Sequence, residues 1–126
     1  MQPLAILLVE DDPVIALGLK TTLELDGFKV LCAGSPAEAI RLCDEHLPDI
    51  AILNFHRKHE MDGMALARLL RTRYLAATLL ATGARPQDIA RSADFYAGQE
   101  VLFKPFTRRQ LQEAIGRLVI QIGPPT

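Results

Sequence analysis

Five short, nearly unbroken apolar runs punctuate this chain: Leu4 to Val9, Phe28 to Cys32, Ile50 to Leu53, Ala77 to Ala81 and Val101 to Phe103. A strand with one wet face alternates apolar and polar residues, so continuous runs predict strands covered on both sides. Between the runs lie longer stretches with helical spacing. Ile15, Leu19 and Leu23 fall on one stripe, as do Ile40, Cys43 and Leu47, and then Leu111, Ile115, Leu118 and Ile122. Each stripe predicts a helix with one face laid on the sheet.

Helix starts are readable too. Asp12-Pro13 offers a side-chain cap followed by a proline at the first helical position. Ser35-Pro36-Ala37-Glu38 and Thr107-Arg108-Arg109-Gln110 read as capping boxes, with a hydroxyl three residues ahead of Glu or Gln. Arg85-Pro86 opens another helix, and Met61-Asp62-Gly63 leads into the remaining one. Five strands alternating with five helices predict an α/β fold, a parallel sheet wrapped on both faces by right-handed crossovers. Ligands of such sheets bind beyond the carboxyl ends of the strands.

Composition narrows the function classes. At 126 residues the chain fits one domain with a real core. Residues 1–122 are read as that domain, and Gly123-Pro124-Pro125-Thr126 as a tail or the start of a linker. With 49% hydrophobic and 23% charged residues, disorder is excluded. The net charge is −1 and the arginines are scattered, so no basic stripe invites direct nucleic-acid binding. No apolar run approaches the roughly 20 residues that span a bilayer, and Met1-Gln2-Pro3-Leu4 lacks the character of a signal peptide. Cys32 and Cys43, with no CxxC spacing, read as reduced core thiols, and the expected location is cytoplasmic.

The candidate chemistry stands where the strands end. The first ends in Glu10-Asp11-Asp12, the third at Asn54, the fourth at Thr82 and the fifth at Lys104-Pro105. Convergence of these ends gives a pocket with carboxylates, an amide, a hydroxyl and an ammonium. Consecutive acids repel one another; a cation relieves that cost, and hard oxygen ligands suit Mg²⁺.

In order and spacing these motifs resemble the receiver domain of bacterial response regulators. The stretches that carry the resemblance are Ile6-Leu7-Leu8-Val9-Glu10-Asp11-Asp12-Pro13, Pro48-Asp49-Ile50-Ala51-Ile52-Leu53-Asn54, Met61-Asp62-Gly63, Ala81-Thr82 and Lys104-Pro105-Phe106. The intervals agree as well, 43 residues from Asp11 to Asn54 and 22 from Thr82 to Lys104. The resemblance implies a flavodoxin-like (βα)5 fold with strand order 2-1-3-4-5. It also implies that Glu10 and Asp11 hold Mg²⁺ together with residue 54 and the backbone carbonyl of His56. Thr82 and Lys104 are then the hydroxyl and ammonium that meet a phosphoryl group, and a cis peptide bond precedes Pro105. Implied partners are a histidine kinase, a phosphotransfer protein or an output domain, with a homodimer through the fourth-helix to fifth-helix face as a further option.

The departures matter as much. The family carries aspartate where this chain has Asn54. A carboxylate attacks phosphorus and carries an acyl phosphate, whereas a neutral amide oxygen is a poor nucleophile. One unit-charge pair at about 4 Å is worth roughly 4 kcal/mol at an effective dielectric near 20. Weakened Mg²⁺ binding is therefore expected. The loop Phe55-His56-Arg57-Lys58-His59-Glu60 lacks the customary proline, and Val101 stands where many receivers have a switching Tyr or Phe. His56 and His59 have the spacing of a zinc pair but no evident third ligand, and read as a solvated loop.

The leading expectation is thus a signalling module in a phosphorelay, not an enzyme, that does not accept phosphate in the usual way. A second reading is an ordinary phosphoaccepting receiver whose aspartate has been replaced by engineering. The third, a small flavodoxin-like cofactor binder, lacks a glycine-rich phosphate loop after the first strand.

Overall fold

The computed structural model describes residues 3–54 and 63–123. Five strands, β1 (Ala5–Val9), β2 (Lys29–Ala33), β3 (Ile50–Asn54), β4 (Ala77–Thr82) and β5 (Glu100–Phe103), alternate with five helices, α1 (Pro13–Leu25), α2 (Pro36–His46), α3 (Gly63–Tyr74), α4 (Pro86–Ala90) and α5 (Arg108–Ile122). All neighbouring strands pair in parallel, in the order 2-1-3-4-5. The flavodoxin-like architecture expected from the resemblance is the one observed.

Residue alternation along the strands divides the core in two. Ile6, Leu8, Ile50, Ile52, Leu79 and Leu102 point to one face, where Leu23 of α1 and Leu111, Ala114, Ile115 and Leu118 of α5 cover them. Leu7, Val9, Ala51, Leu53 and Leu80 point to the other, under Ala39, Leu42 and Cys43 of α2 and Leu66, Ala67 and Leu70 of α3. All five residues of β3 are buried, which is why its run shows no polar alternation. Cys32 packs against the first layer and Cys43 lies in the second, both as free thiols. Burial pushes the Cys43 thiol up to about 11, so it stays protonated at neutral pH.

The caps locate the helix starts. Asp12 accepts the backbone N–H groups of Val14 and Ile15, and Thr107 and Gln110 form a complete reciprocal capping box. The second box is only half formed. Ser35 accepts the Glu38 N–H, but the Glu38 carboxylate turns to the N–H of Gly34 instead of closing on Ser35.

Three stripe residues depart from expectation. Leu47 is not on α2, because the chain must enter Pro48 and the residue before proline disfavours the α region. It adopts a left-handed conformation (φ 47°, ψ 64°), closes the helix through its N–H on the Cys43 carbonyl, and is 66% exposed. Ile15 and Ile122 are both partly exposed, at the first and last turns of helices α1 and α5. The helix opened by Arg85-Pro86 exists but runs only five residues, with no side-chain cap and no buried residue.

Candidate functional site

Strand register brings the predicted residues to one edge. Val9 pairs with Leu53, Asn54 with Ala81, and Thr82 with Phe103. Just beyond, the Glu10 N–H donates to the Ala33 carbonyl, and the Lys104 N–H donates to the Thr82 carbonyl at 2.8 Å. Glu10, Asn54, Thr82 and Lys104 therefore sit at the carboxyl ends of four strands about 4.8 Å apart from neighbour to neighbour.

Alternation sorts these side chains. Glu10 continues the face of Leu8, Asn54 that of Ile52, and Lys104 that of Leu102, so all three lie on the α1/α5 side. Thr82 continues the opposite face with Leu80. Its hydroxyl accepts the N–H of Ala84 at 3.0 Å and is engaged with its own turn. The cis bond expected before Pro105 is present.

Burial distinguishes the polar groups. Glu10 and Asn54 are almost fully enclosed, at 3% and 4% exposure, whereas Asp11 is exposed. One Glu10 oxygen accepts the Asp12 N–H at 3.1 Å, which folds the turn after β1 around the carboxylate. The amide oxygen of Asn54 is buried and has no hydrogen-bond partner among the described residues. A buried acceptor left without a donor costs roughly 1–3 kcal/mol, so this atom is poised for an electropositive partner. Burial draws the Lys104 ammonium below its usual value, and the carboxylates of Glu10 and Asp11 act against that pull. The ammonium is thus within the field of both acids.

This donor set can be tested against Mg²⁺, the ion that the resemblance implies. Two carboxylates and an orphaned buried amide oxygen are hard oxygen donors converging from adjacent strands, and they fit the ion in kind. They are poor in charge: among the described residues no group of three His, Cys, Asp or Glu side chains could hold a metal. His56, Met61, Asp62, the rest of the loop after β3 and the tail 124–126 lie outside the described residues.

Two further residues, one beside the carboxyl edge and one at the opposite end of the sheet, carried no role in the sequence reading. Phe106 lines a small apolar cavity beneath Asn54, together with Leu8, Leu19, Leu23, Ile52, Ala81 and Leu111. The aromatic after Lys104-Pro105 was the available signal. Asp49 accepts the Ala5 N–H at 2.8 Å and ties the start of β3 to that of β1, fixing the register that aligns Glu10 with Asn54.

Comparison with known proteins agrees with this geometry. The family description "Response regulator receiver domain" matches residues 6–116. The transcriptional regulatory protein AruR of Pseudomonas aeruginosa is 34% identical over 122 residues, covering 93% of this chain and 50% of that protein. The transcriptional regulatory protein PrrA of Mycobacterium tuberculosis is 30% identical over 119 residues, covering 94% and 51%. The chain thus spans about half the length of the curated relatives it matches. Among solved structures, a response regulator receiver domain protein from Clostridium thermocellum superposes with a TM-score of 0.81 at 29% identity, over 94% of this chain and 95% of that one. The receiver domain of a signal transduction histidine kinase from Syntrophus aciditrophicus gives 0.81 at 30% identity, over 97% and 94%. A 2-1-3-4-5 sheet with an acid-lined carboxyl edge, matched over nearly its whole length, makes this chain a member of the response regulator receiver domain family.

Proposed function

We propose that this receiver domain signals without ordinary aspartyl phosphorylation, because Asn54 occupies the phosphoacceptor position. The observation that carries the reading is the placement of Asn54: enclosed at the end of β3, beside the strand that delivers Glu10, with its amide oxygen unpartnered among the described residues. A carboxylate there could attack phosphorus. An amide oxygen holds no full negative charge and forms no acyl phosphate.

Glu10, Asp11 and the Asn54 oxygen would hold Mg²⁺. When bound, the ion supplies positive charge against phosphoryl oxygens. The protein's own contribution would be Lys104, whose backbone N–H is held by the Thr82 carbonyl and whose ammonium lies within the field of Glu10 and Asp11. Thr82 stands ready at the end of β4 with its hydroxyl held by Ala84.

Partners follow from the same edge. Val14 and Leu17 of α1 are 79% and 65% exposed next to the crevice, an apolar surface suited to a histidine kinase or phosphotransfer protein. Phe95 and Phe103 are partly exposed near β5, on the fourth-helix side where an output domain or a second copy would bind. No helix among the described residues is long and apolar enough to cross a membrane, and the reading places the domain in the cytoplasm.

Incubation with acetyl phosphate, followed by intact-mass measurement, tests the proposal. The parent chain is expected to gain nothing and Asn54→Asp to gain one phosphoryl group. A stable phosphoryl adduct on the parent chain overturns the reading.

A further inference from the structure

α2 and α3 lie side by side over the face of the sheet that carries Leu7, Ala51 and Leu53. Each runs back from the end of a parallel strand, so the two helices point the same way. Their charges are opposite. α2 carries Glu38, Asp44 and Glu45 against Arg41, while α3 carries Arg68, Arg71 and Arg73 and no acid. The side chains of Glu38, Asp44, Glu45, Arg68 and Arg73 are exposed. The face also ends in two exposed leucines. Leu47 closes α2 and Leu75 follows α3, and these are the two non-glycine residues with positive φ among the described residues, at 47° and 57°. Glycine takes that backbone region without steric cost. Leu75, 84% exposed, is strained there with little packing in return within its own chain. The Ala77 N–H donates to the Asp49 carbonyl at 3.0 Å, so the two turns are neighbours. Each leucine stands two residues ahead of that bond, with Glu45 and Arg73 two residues further back.

We propose that this face binds a second copy of the chain, with α2 of each protomer lying along α3 of its partner. A two-fold axis parallel to the helices stacks α2 on the partner's α3 in the same direction and, by symmetry, α3 on the partner's α2. Acids then meet arginines twice, with Glu45 opposite Arg73 of the partner subunit. At the same end Leu47 meets Leu75 of the partner subunit and the two bury each other. An axis across the helices would instead set α2 on α2 and α3 on α3, like charge on like. The pairs that these side chains make within one protomer, Arg41 with Glu45 at 3.1 Å and Arg73 with Asp44 at 4.0 Å, are exposed and weak, and leave the charges available. Helices of 11 and 12 residues offer a face no larger than the standard interface of roughly 800 Å² per partner, so the dimer is weak and salt-sensitive. This surface is separate from the fourth-helix side of β5, and its use does not depend on the chemistry at residue 54.

The test is sedimentation velocity on the intact chain over a range of concentrations, at about 0.01 M and about 1 M salt, where screening lengths are roughly 30 Å and 3 Å. The average mass is expected to climb toward the dimer with concentration at low salt, and to climb less at high salt. Leu75→Gly is expected to weaken the dimer about tenfold or more, since two buried leucine side chains are lost per dimer. Its urea midpoint is expected to stay or rise, because glycine suits the backbone there. A leucine with a merely structural role would not separate those two readouts. Glu45→Arg and Arg73→Glu are each expected to give monomer, and the two together in one chain to restore the dimer. A chain that stays monomeric in every condition overturns the proposal. So does a dimer that survives Leu75→Gly, or one that the exchanged pair fails to restore. A dimer broken by Phe103→Ser and not by Leu75→Gly places the contact beside β5 and overturns it as well.

Discussion

The two helices that flank β5 are built on opposite terms. α5 runs 15 residues, starts with a complete capping box and buries Leu111, Ala114, Ile115 and Leu118 against the sheet. α4 stops after five residues, buries none of them, and gives way to turns through residues 91–99. What holds this second segment is polar and aromatic. Arg68 reaches Asp94 at 3.2 Å, and the Arg71 guanidinium lies 4.1 Å from the centre of the Tyr96 ring. The Gln99 amide donates to the carbonyls of Thr78 and Glu100. Gly98 lets the chain fold onto that ring, since a Cβ there would meet Tyr96 atoms at 2.7–2.8 Å. One side of β5 is therefore set by burial and the other by pins between side chains. The pinned side is the one that carries Phe95, Tyr96 and Phe103 toward solvent.

The largest effect that separates the two sides comes from the core. Leu118→Ala deletes a side chain that is 1% exposed, and such truncations cost about 2–5 kcal/mol. Urea unfolding should show this as a lower midpoint with an unchanged slope. A loss under about 1 kcal/mol would mean that α5 is not anchored by burial. On the pinned side, Arg71→Gln removes the contact with Tyr96, worth roughly 0.5–1 kcal/mol at an exposed site. Amide exchange should accelerate across residues 92–99 and stay as it was in α5. Equal acceleration in both segments would abolish the distinction between them.

The same contrast explains what the sequence could and could not disclose. The strands were legible because each is an apolar run sandwiched between helix layers, and burial on both faces leaves a mark in composition. α5 was legible because a capping box and a stripe agree. Arg85-Pro86 announces a helix start equally well, but only Ile89 packs inward afterwards. Ser92 then accepts the N–H of Phe95 on its carbonyl and of Asp94 on its hydroxyl, which turns the chain out of the helix. Leu47 was misleading for a related reason: its place on a stripe counted for less than the proline that follows it. At the site, Glu10, Asn54 and Lys104 were legible because strand ends converge by topology. The hydroxyl of Thr82 was not, since its direction is set by a hydrogen bond within the Gly83-Ala84 turn. The Arg71–Tyr96 stack joins residues distant in sequence and leaves no periodic signal at all.

α5 is not wholly free of pins, and the smallest predicted effect measures the one at its start. Arg108 and Gln112 both reach the carboxylate of Asp26, which caps the end of α1, at 3.1 Å. The Gln112 hydrogen bond, with Arg108 adding charge and a second hydrogen bond, holds the Asp26 carboxyl below its usual value. A carboxyl lowered in the folded state contributes stability that is complete above the unfolded value and is lost as pH falls through the folded one. Thermal melts between about pH 5 and pH 2 should therefore fall less steeply in Asp26→Asn than in the parent, with the two curves converging at the acid end. Because the carboxylate is solvent-exposed and screened, the difference at neutral pH should be slight. If the two acid limbs run parallel, the Asp26 carboxylate is no tether for α5, which is then held by its buried face, its cap and the Arg117–Glu100 pair.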